Sequence, residues 1–300
     1  MNRPTMAPSF WAMPFCVRSP GIAAGLALAV SLACGPAAAA PARDTVVFAP
    51  HRAVYDLALV RSRGTRDIDS VRGRIVYDFS GSACEGYTLQ FRQVAQHRSR
   101  DGDGVLSDLR STTWEDAAAR KFRFSSESRV NDKVSETVDG HADRRAKAVS
   151  VMLSKPKARK IAVPVRSVFP TEHMRRIVLA ARAGTNVLEF PVFDGTDDGQ
   201  KVYNTLTVIG RPIAPGEAAP QDAAANVPEL AALTRWPVTI SYFETLSKAD
   251  ARKGEQTPTY AVAFELYENG ISRALTLDYP DFRLSGKMTA LEMKKAKPCK

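Results

Sequence analysis

Cysteine and histidine are scarce in this chain, with four of each in 300 residues. None of His51, His97, His141 and His173 has metal-ligand spacing to another His or to a Cys, and His173 lacks the H-E-x-x-H pattern that would make it a zinc ligand on a helix. There is no C-x-x-C, no P-loop, no G-x-S-x-G and no dinucleotide fingerprint. Ser154-Lys-Pro-Lys157 has the form S-x-x-K, but its companion motifs S-D-N and K-T-G are missing and Pro156 breaks the helix start the motif needs. Asp101-Gly-Asp-Gly104 and Asp194–Gly199 lack the spacing of a calcium loop and read as hairpin turns. The acidic pairs Glu115-Asp116 and Asp197-Asp198 are adjacent, so on a strand each pair points to opposite faces and makes no acid/base couple by itself. The expectation is a protein without catalytic, metal or cofactor residues.

Long apolar runs are also few. Gly21 to Cys34 is the one such stretch, and it is too short for a comfortable membrane span. Arg3 and Arg18 precede it without any acid, and the small-residue tract Gly35–Ala42 follows. Together these are the charged, apolar and cleavage regions of a secretory signal peptide. Cleavage after Ala42 satisfies A-x-A through Ala40 and Ala42. Ser31-Leu-Ala-Cys34 only faintly resembles a lipobox, because Ser31 stands where a larger aliphatic is wanted. Residues 1–42 are therefore read as a cleaved signal and 43–300 as a single exported domain, neither transmembrane nor cytosolic.

Export decides the cysteines. Cys16 and Cys34 leave with the signal, so only Cys84 and Cys299 meet the oxidising compartment, 215 residues apart. Two cysteines have one intramolecular connectivity. Closing so long a loop restricts the unfolded chain, by about 5 kcal/mol at the model ceiling. The bridge reads as a structural staple rather than a redox pair.

What the chain has in quantity is alternation. Tyr55, Leu57 and Leu59 share one face of a run, as do Ile75, Tyr77 and Phe79, and then Tyr87, Leu89 and Phe91. Period-2 runs of aromatic and aliphatic residues are half-buried antiparallel strands. Trp114, Phe122 and Phe124 continue the pattern, a shorter strand holds Val134 and Val138, and 142–153 reads as a further strand. Later strands are expected over 186–193, 201–209, 238–243, 260–266, 273–279 and 282–292. Asn269-Gly270 between two such runs predicts a type I′ hairpin, with positive φ at both residues. One helix stands out near 171–183, with Thr171 as its cap, Glu172 in its first turn, Met174, Ile177, Val178 and Ala181 at helical spacing, and Gly184 as its stop. Residues 211–228 are rich in Pro and Ala and are read as a mobile loop. The fold class is all-β: a long curved antiparallel sheet or open barrel of some dozen strands with one main packed helix.

The formal net charge is +10. Export argues against nucleic acid as the partner. The densest basic places are Lys155–Lys160, Arg175-Arg176 and Lys294–Lys297, short and polar segments that could touch anionic headgroups.

Several strings, in order along the chain, resemble one family. They are Ala49–Leu57, Gly73–Phe79, Cys84–Leu89, Ser111–Glu115, Val192–Gly199, Arg235–Ile240, Phe264–Gly270 and the closing Leu277-Asp-Tyr279. Together they resemble the cell envelope integrity protein B (EipB-like) family of Gram-negative periplasms. The resemblance implies a β-spiral, a strongly curved sheet cupped like an open half-barrel, and a disulfide between an early and a C-terminal cysteine, the places Cys84 and Cys299 occupy. It implies a non-enzymatic role in envelope integrity. The fold it implies is similar to periplasmic lipoprotein carriers and glycolipid-binding proteins. The expected partners are thus periplasmic envelope proteins or cell-wall or lipid components, with a lipid or glycolipid carrier as the alternative. The resemblance carries over no ligand-binding residue.

Overall fold

The computed structural model describes residues 45–63, 68–99, 104–217, 222–245 and 256–296 together with Cys299. Fourteen strands form one antiparallel sheet. The first eight are β1 His51–Ser62, β2 Ile68–Ser82, β3 Gly86–Ser99, β4 Gly104–Glu115, β5 Lys121–Val130, β6 Lys133–Arg144, β7 Ala148–Lys155 and β8 Arg159–Pro164. After the helix α1, Pro170–Arg182, come β9 Val187–Val192, β10 Tyr203–Ile209, a 3₁₀ turn Ala223–Ala225, a single-turn helix α2 Pro228–Ala231, β11 Arg235–Glu244, β12 Tyr260–Tyr267, β13 Ser272–Asp278 and β14 Phe282–Met293.

The chain begins in the middle of the sheet. β1 pairs with β2 on one side and with β14 on the other. Successive hairpins extend the sheet outward to β8, α1 carries the chain to the opposite edge, and β9 to β14 wind back to β1. The two edges, β8 and β9, do not pair, so the sheet is open. Val168, just past β8, nevertheless makes two backbone hydrogen bonds with the end of β9, to Pro191 O (2.8 Å) and from Phe193 N (3.0 Å).

Residues opposite one another in an antiparallel ladder share a face. The row His51, Phe79, Leu89, Thr113 and Phe124 therefore lies on one side, with Ala53, Tyr77, Phe91, Ser111 and Ser126 below it. From the other half, Val238, Ile240, Phe264 and Leu266 pack with Phe79 and Tyr87 around Ile177, Val178 and Ala181 of α1. Both halves of the sheet thus wrap the same helix, and the face that touches α1 is the concave one. The curved all-β sheet with one packed helix is the architecture the alternation calls for.

α1 departs from the expected capping. Its N-cap is Phe169, without a side-chain cap bond, and Pro170 is the first helical residue. Proline suits that position because its φ is pre-set and its missing N–H costs nothing there. Thr171 thus falls inside the first turn and cannot cap. Gly184 does end the helix: at φ +74° it allows its own N–H to reach Ala181 O and that of Thr185 to reach Ala180 O.

Three other details differ from the sequence reading. Residues 142–153 are the end of β6 and most of β7, joined by a turn at 145–147. The Asn269-Gly270 hairpin has positive φ only at Gly270 (+87°), because Gly270 N–H closes onto Tyr267 O and Asn269 stays in an ordinary conformation. The Pro/Ala-rich segment holds the 3₁₀ turn and leads into α2; Ala225 of the turn and Leu230 of α2 are buried in the same cluster as Tyr55 and Met288. Asp222 fixes it there, accepting hydrogen bonds from Ala274 N (3.2 Å) and Met288 N (3.3 Å). Residues 218–221 of that segment, residues 101–103 of the first Asp-Gly run and all of 1–44 lie outside the described residues.

Candidate functional site

The concave face carries apolar side chains that packing against α1 leaves partly exposed. Directly under α1, Tyr77 and Leu89 are only partly buried and, with Met174 of the helix itself, pack against the helix cluster; Val262 and Leu275 do the same from the other half of the sheet. Tyr77, Val262 and Leu275 also pack against the second cluster, so this apolar lining runs without a break between the two. A small cavity of about 70 Å³ opens there between Phe48, His51, Tyr77, Leu89, Thr113 and Met174. Burial pushes the Tyr77 hydroxyl up to about 12.

Toward the other end of the strands the lining turns to tyrosine. Tyr203, Tyr242 and Tyr260 stand on adjacent strands, with Tyr242 stacked on Tyr260 at 4.4 Å between ring centres and Tyr203 edge-on to both at 6.1 Å. The series continues through Tyr279 (6.3 Å from Tyr260), Phe282 (4.8 Å further) and His97 (5.7 Å from Phe282). Tyr203 donates its hydroxyl proton to Asp197. Asp194 lies close by and accepts from Thr196 N (3.0 Å) and Thr196 Oγ1 (2.7 Å). Burial raises the Asp194 carboxyl, and Asp197 beside it adds to the rise. Burial raises the phenols of Tyr242 and Tyr260, with Asp194 adding to both and the Tyr242 phenol adding to Tyr260.

Two side chains near the start of α1, Glu115 and Arg144, are committed to structure. Glu115 at the end of β4 is 2% exposed, and its two oxygens accept hydrogen bonds from the backbone N–H of Thr171 and Glu172, both at 2.8 Å. Burial pushes its carboxyl up to about 7, against the pull of those two donors. Glu115 is the cap that α1 lacks in its own sequence. Its neighbour Asp116 accepts instead from Arg120 N and Lys121 N in the β4–β5 turn. Arg144 reaches from β6 to Ala119 O, Val165 O, Ser167 O and the Glu172 carboxylate, tying the start of α1 to the sheet.

The histidines do not converge. His51 is buried, with Nδ1 2.7 Å from Ala49 O and its ring stacked on Tyr77, and burial lowers its pKa. His173 is buried on the sheet side of α1, 3.5 Å from Thr207 Oγ1, and burial brings it down to about 4. His141 is exposed and His97 packs edge-on against Phe282. Ser154 sits at the end of β7, bonded to Asp139, not on a helix start. Asp198 accepts from Gln200 N as part of its turn. Among the described residues no group of three His, Cys, Asp or Glu could hold a metal ion.

Cys84, in the β2–β3 turn, is bonded to Cys299 beyond β14, with 5.7 Å between their Cα atoms. The bond fastens the end of the chain beside the central strands. Of the basic places, Arg176 pairs with Glu172 and lies over the Phe190 ring, Lys294 pairs with Asp78, and 155–160 is exposed at the β7–β8 connection. On the convex side a shallow depression of about 770 Å³ runs past Trp114, Arg123, His141 and Met152, with Arg123 over the Trp114 ring. It is open sheet surface, whereas the cavity of about 70 Å³ lies between the sheet and the start of α1.

Residues 42–295 match the family model described as EipB-like. The chain belongs to the EipB-like family. It is 37% identical over 259 residues to a Brucella abortus (strain 2308) protein named cell envelope integrity protein EipB, covering 86% of this chain and 89% of that one. It is also similar to a Brucella abortus crystal structure described as a beta-barrel-like protein of a domain of unknown function. That match has a TM-score of 0.76 and 35% identity, and covers 84% of this chain and 100% of the other. The family resemblance carried by the strings from Ala49 to Tyr279 is thereby shown. Among the described residues no helix is long and apolar enough to cross a membrane.

Proposed function

We propose that the protein is a periplasmic, non-enzymatic factor that maintains the integrity of a Gram-negative cell envelope. The observation that carries this is the 37% identity, over most of both chains, to a relative named for envelope integrity. Residues 1–42 support the compartment, with a basic start, a short apolar run and an A-x-A ending. The Cys84–Cys299 disulfide suits an oxidising compartment. The commitments of Glu115, His51 and His173 support the non-enzymatic reading, since each is engaged in holding α1 or β1 in place. Deleting the gene and challenging the cells with detergent and wall-targeting antibiotics tests this. Sensitivity beyond that of the parent is expected; unchanged resistance counts against the role.

A second reading, compatible with the first, is a carrier whose concave face holds a lipid or glycolipid. The partly exposed side chains Tyr77, Val262 and Tyr260 on the inward face favour it, because contiguous apolar groups left accessible mark an interaction site. Native mass spectrometry of protein taken from its own periplasm, repeated after organic extraction, decides it. A near-stoichiometric lipid is expected; an unloaded mass before extraction defeats the carrier reading and leaves scaffolding of envelope or cell-wall partners.

A further inference from the structure

One outward row crosses five strands to the free edge of the sheet: Trp114 on β4, Arg123 on β5, His141 on β6, Met152 on β7 and Lys160 on β8. It borders the shallow convex depression of about 770 Å³. Lys121 stands on the same side two residues before Arg123, and Lys155 and Lys157 are exposed at the β7–β8 connection. We propose that this corner docks the protein on the surface of an anionic phospholipid bilayer, with the cations against headgroup phosphates and Trp114 and Met152 at headgroup level. The proposal takes its setting from export and is independent of the carrier reading.

Pairing decides the sign. Farther along the same face Arg92 and Arg110 share Asp108, and Arg74 pairs with Asp56. At the corner, Lys121, Arg123, Lys155, Lys157 and Lys160 have no carboxylate within ion-pairing distance among the described residues. The carboxylates nearby are engaged. Asp139 accepts from Ser154 Oγ, Asp143 lies 3.9 Å from Arg145 and 4.0 Å from His141, and Asp116 accepts from two backbone N–H groups of its turn. Five unpaired cations against three engaged carboxylates leave an excess of positive charge, which an anionic surface complements.

Spacing decides the occupant. Arg123 and Lys160 are three strand spacings apart, about 14 Å. One phosphate cannot meet both, whereas a layer of headgroups can. Apolar groups stand among the cations: Met152 is 40% exposed, and Ala162 and Pro164 follow Lys160 on the outward side of β8. Trp114 is half-buried, with the Arg123 guanidinium 5.2 Å from its ring centre. Rings and long stems lying at the boundary, with their charges directed to the headgroups, are the chemistry of a bilayer surface. β8 is an open edge of the sheet, so a flat surface can approach this corner.

The test uses protein isolated from its own periplasm and vesicles of phosphatidylcholine, alone or with about two-fifths phosphatidylglycerol, in a cosedimentation assay. Binding to the anionic vesicles is expected to be at least about tenfold tighter than to the neutral ones, and to fall when salt is raised to about 0.5 M. Arg123→Gln with Lys160→Gln should weaken it about tenfold. Arg72→Gln with Lys287→Gln removes the same charge from exposed positions elsewhere on the convex face and should leave binding within about threefold of the parent. Circular dichroism confirms that both double variants fold. Tryptophan emission should move to shorter wavelength on binding, and Trp114→Phe should remove that shift, since Trp236 is buried. Equal binding to both vesicles, equal losses in the two double variants, or a shift that survives Trp114→Phe overturns the proposal. So does failure to bind anionic vesicles, and binding of polyglutamate in that case assigns the corner to an acidic protein. None of these results touches the envelope role, which deletion tests separately.

Discussion

Glu115 caps a helix far along the chain: its carboxylate accepts the N–H of Thr171, 56 residues later, at 2.8 Å. A strand therefore supplies what the helix sequence lacks, and the position of α1 inside the sheet depends on that contact. Glu115→Ala should lose about 1–3 kcal/mol of stability, the usual cost of orphaning buried donors. Urea unfolding measures it; a loss below about 0.5 kcal/mol would mean that the helix holds its place through packing alone.

The same carboxyl makes stability depend on pH in an identifiable direction. Its folded value of about 7 is above the ordinary 4.5, so folding takes up a proton between those values and its contribution falls as pH rises through that window. His173 opposes it: burial brings its value to about 4 from 6.5, so its contribution is lost as pH falls through that range. The two largely mask each other in the whole protein and separate in variants. The stability deficit of Glu115→Gln relative to the parent should shrink as pH rises from about 4.5 to 7, and that of His173→Gln should shrink as pH falls from 6.5 to 4. Parallel pH profiles for both variants and the parent would contradict the assignment.

Cys299→Ser should cost about 2–5 kcal/mol, because opening a loop of this length frees the unfolded chain. The melting temperature of the variant, and of the parent in reductant, should fall together. A melting temperature unchanged by the substitution defeats the idea that the bond is a staple.

Gly270→Ala should destabilise by about 1–3 kcal/mol. The residue sits at φ +87°, and an added Cβ would stand 2.4 Å from the Phe48 ring, which is buried. Chemical denaturation reads the loss. Asn269→Ala, at an ordinary φ, should cost less than half as much, and equal losses would point to a different turn.

The strands and the helix were legible because each carries its own period. Tyr55, Leu57 and Ile75, Tyr77, Phe79 alternate, and Met174, Ile177, Val178 and Ala181 repeat at helical spacing, so local pattern and final packing agree. β8 was not legible, since Arg159–Pro164 is a short, basic edge strand with only Val163 buried. The boundary between β6 and β7 was hidden because 145–147 carries no Gly, Pro, Asn or Asp to signal a turn. The meeting of the two halves of the sheet could not be read at all. Tyr77 and Val262 join the same clusters only because β1 pairs with β14, and Tyr242, Tyr260 and Asp194 come together from separate parts of the chain. Glu115 carried no signal either, because a carboxylate that caps a distant helix looks like any polar residue at a strand end.

The most direct test of the account is complementation of a deletion strain in the protein's own host under detergent stress. The account predicts that the full chain restores resistance, that a chain beginning after Ala42 does not, and that fractionation finds only the former in the periplasm. Resistance unaffected by the deletion, or restored equally by the leaderless chain, would contradict a periplasmic role in envelope integrity.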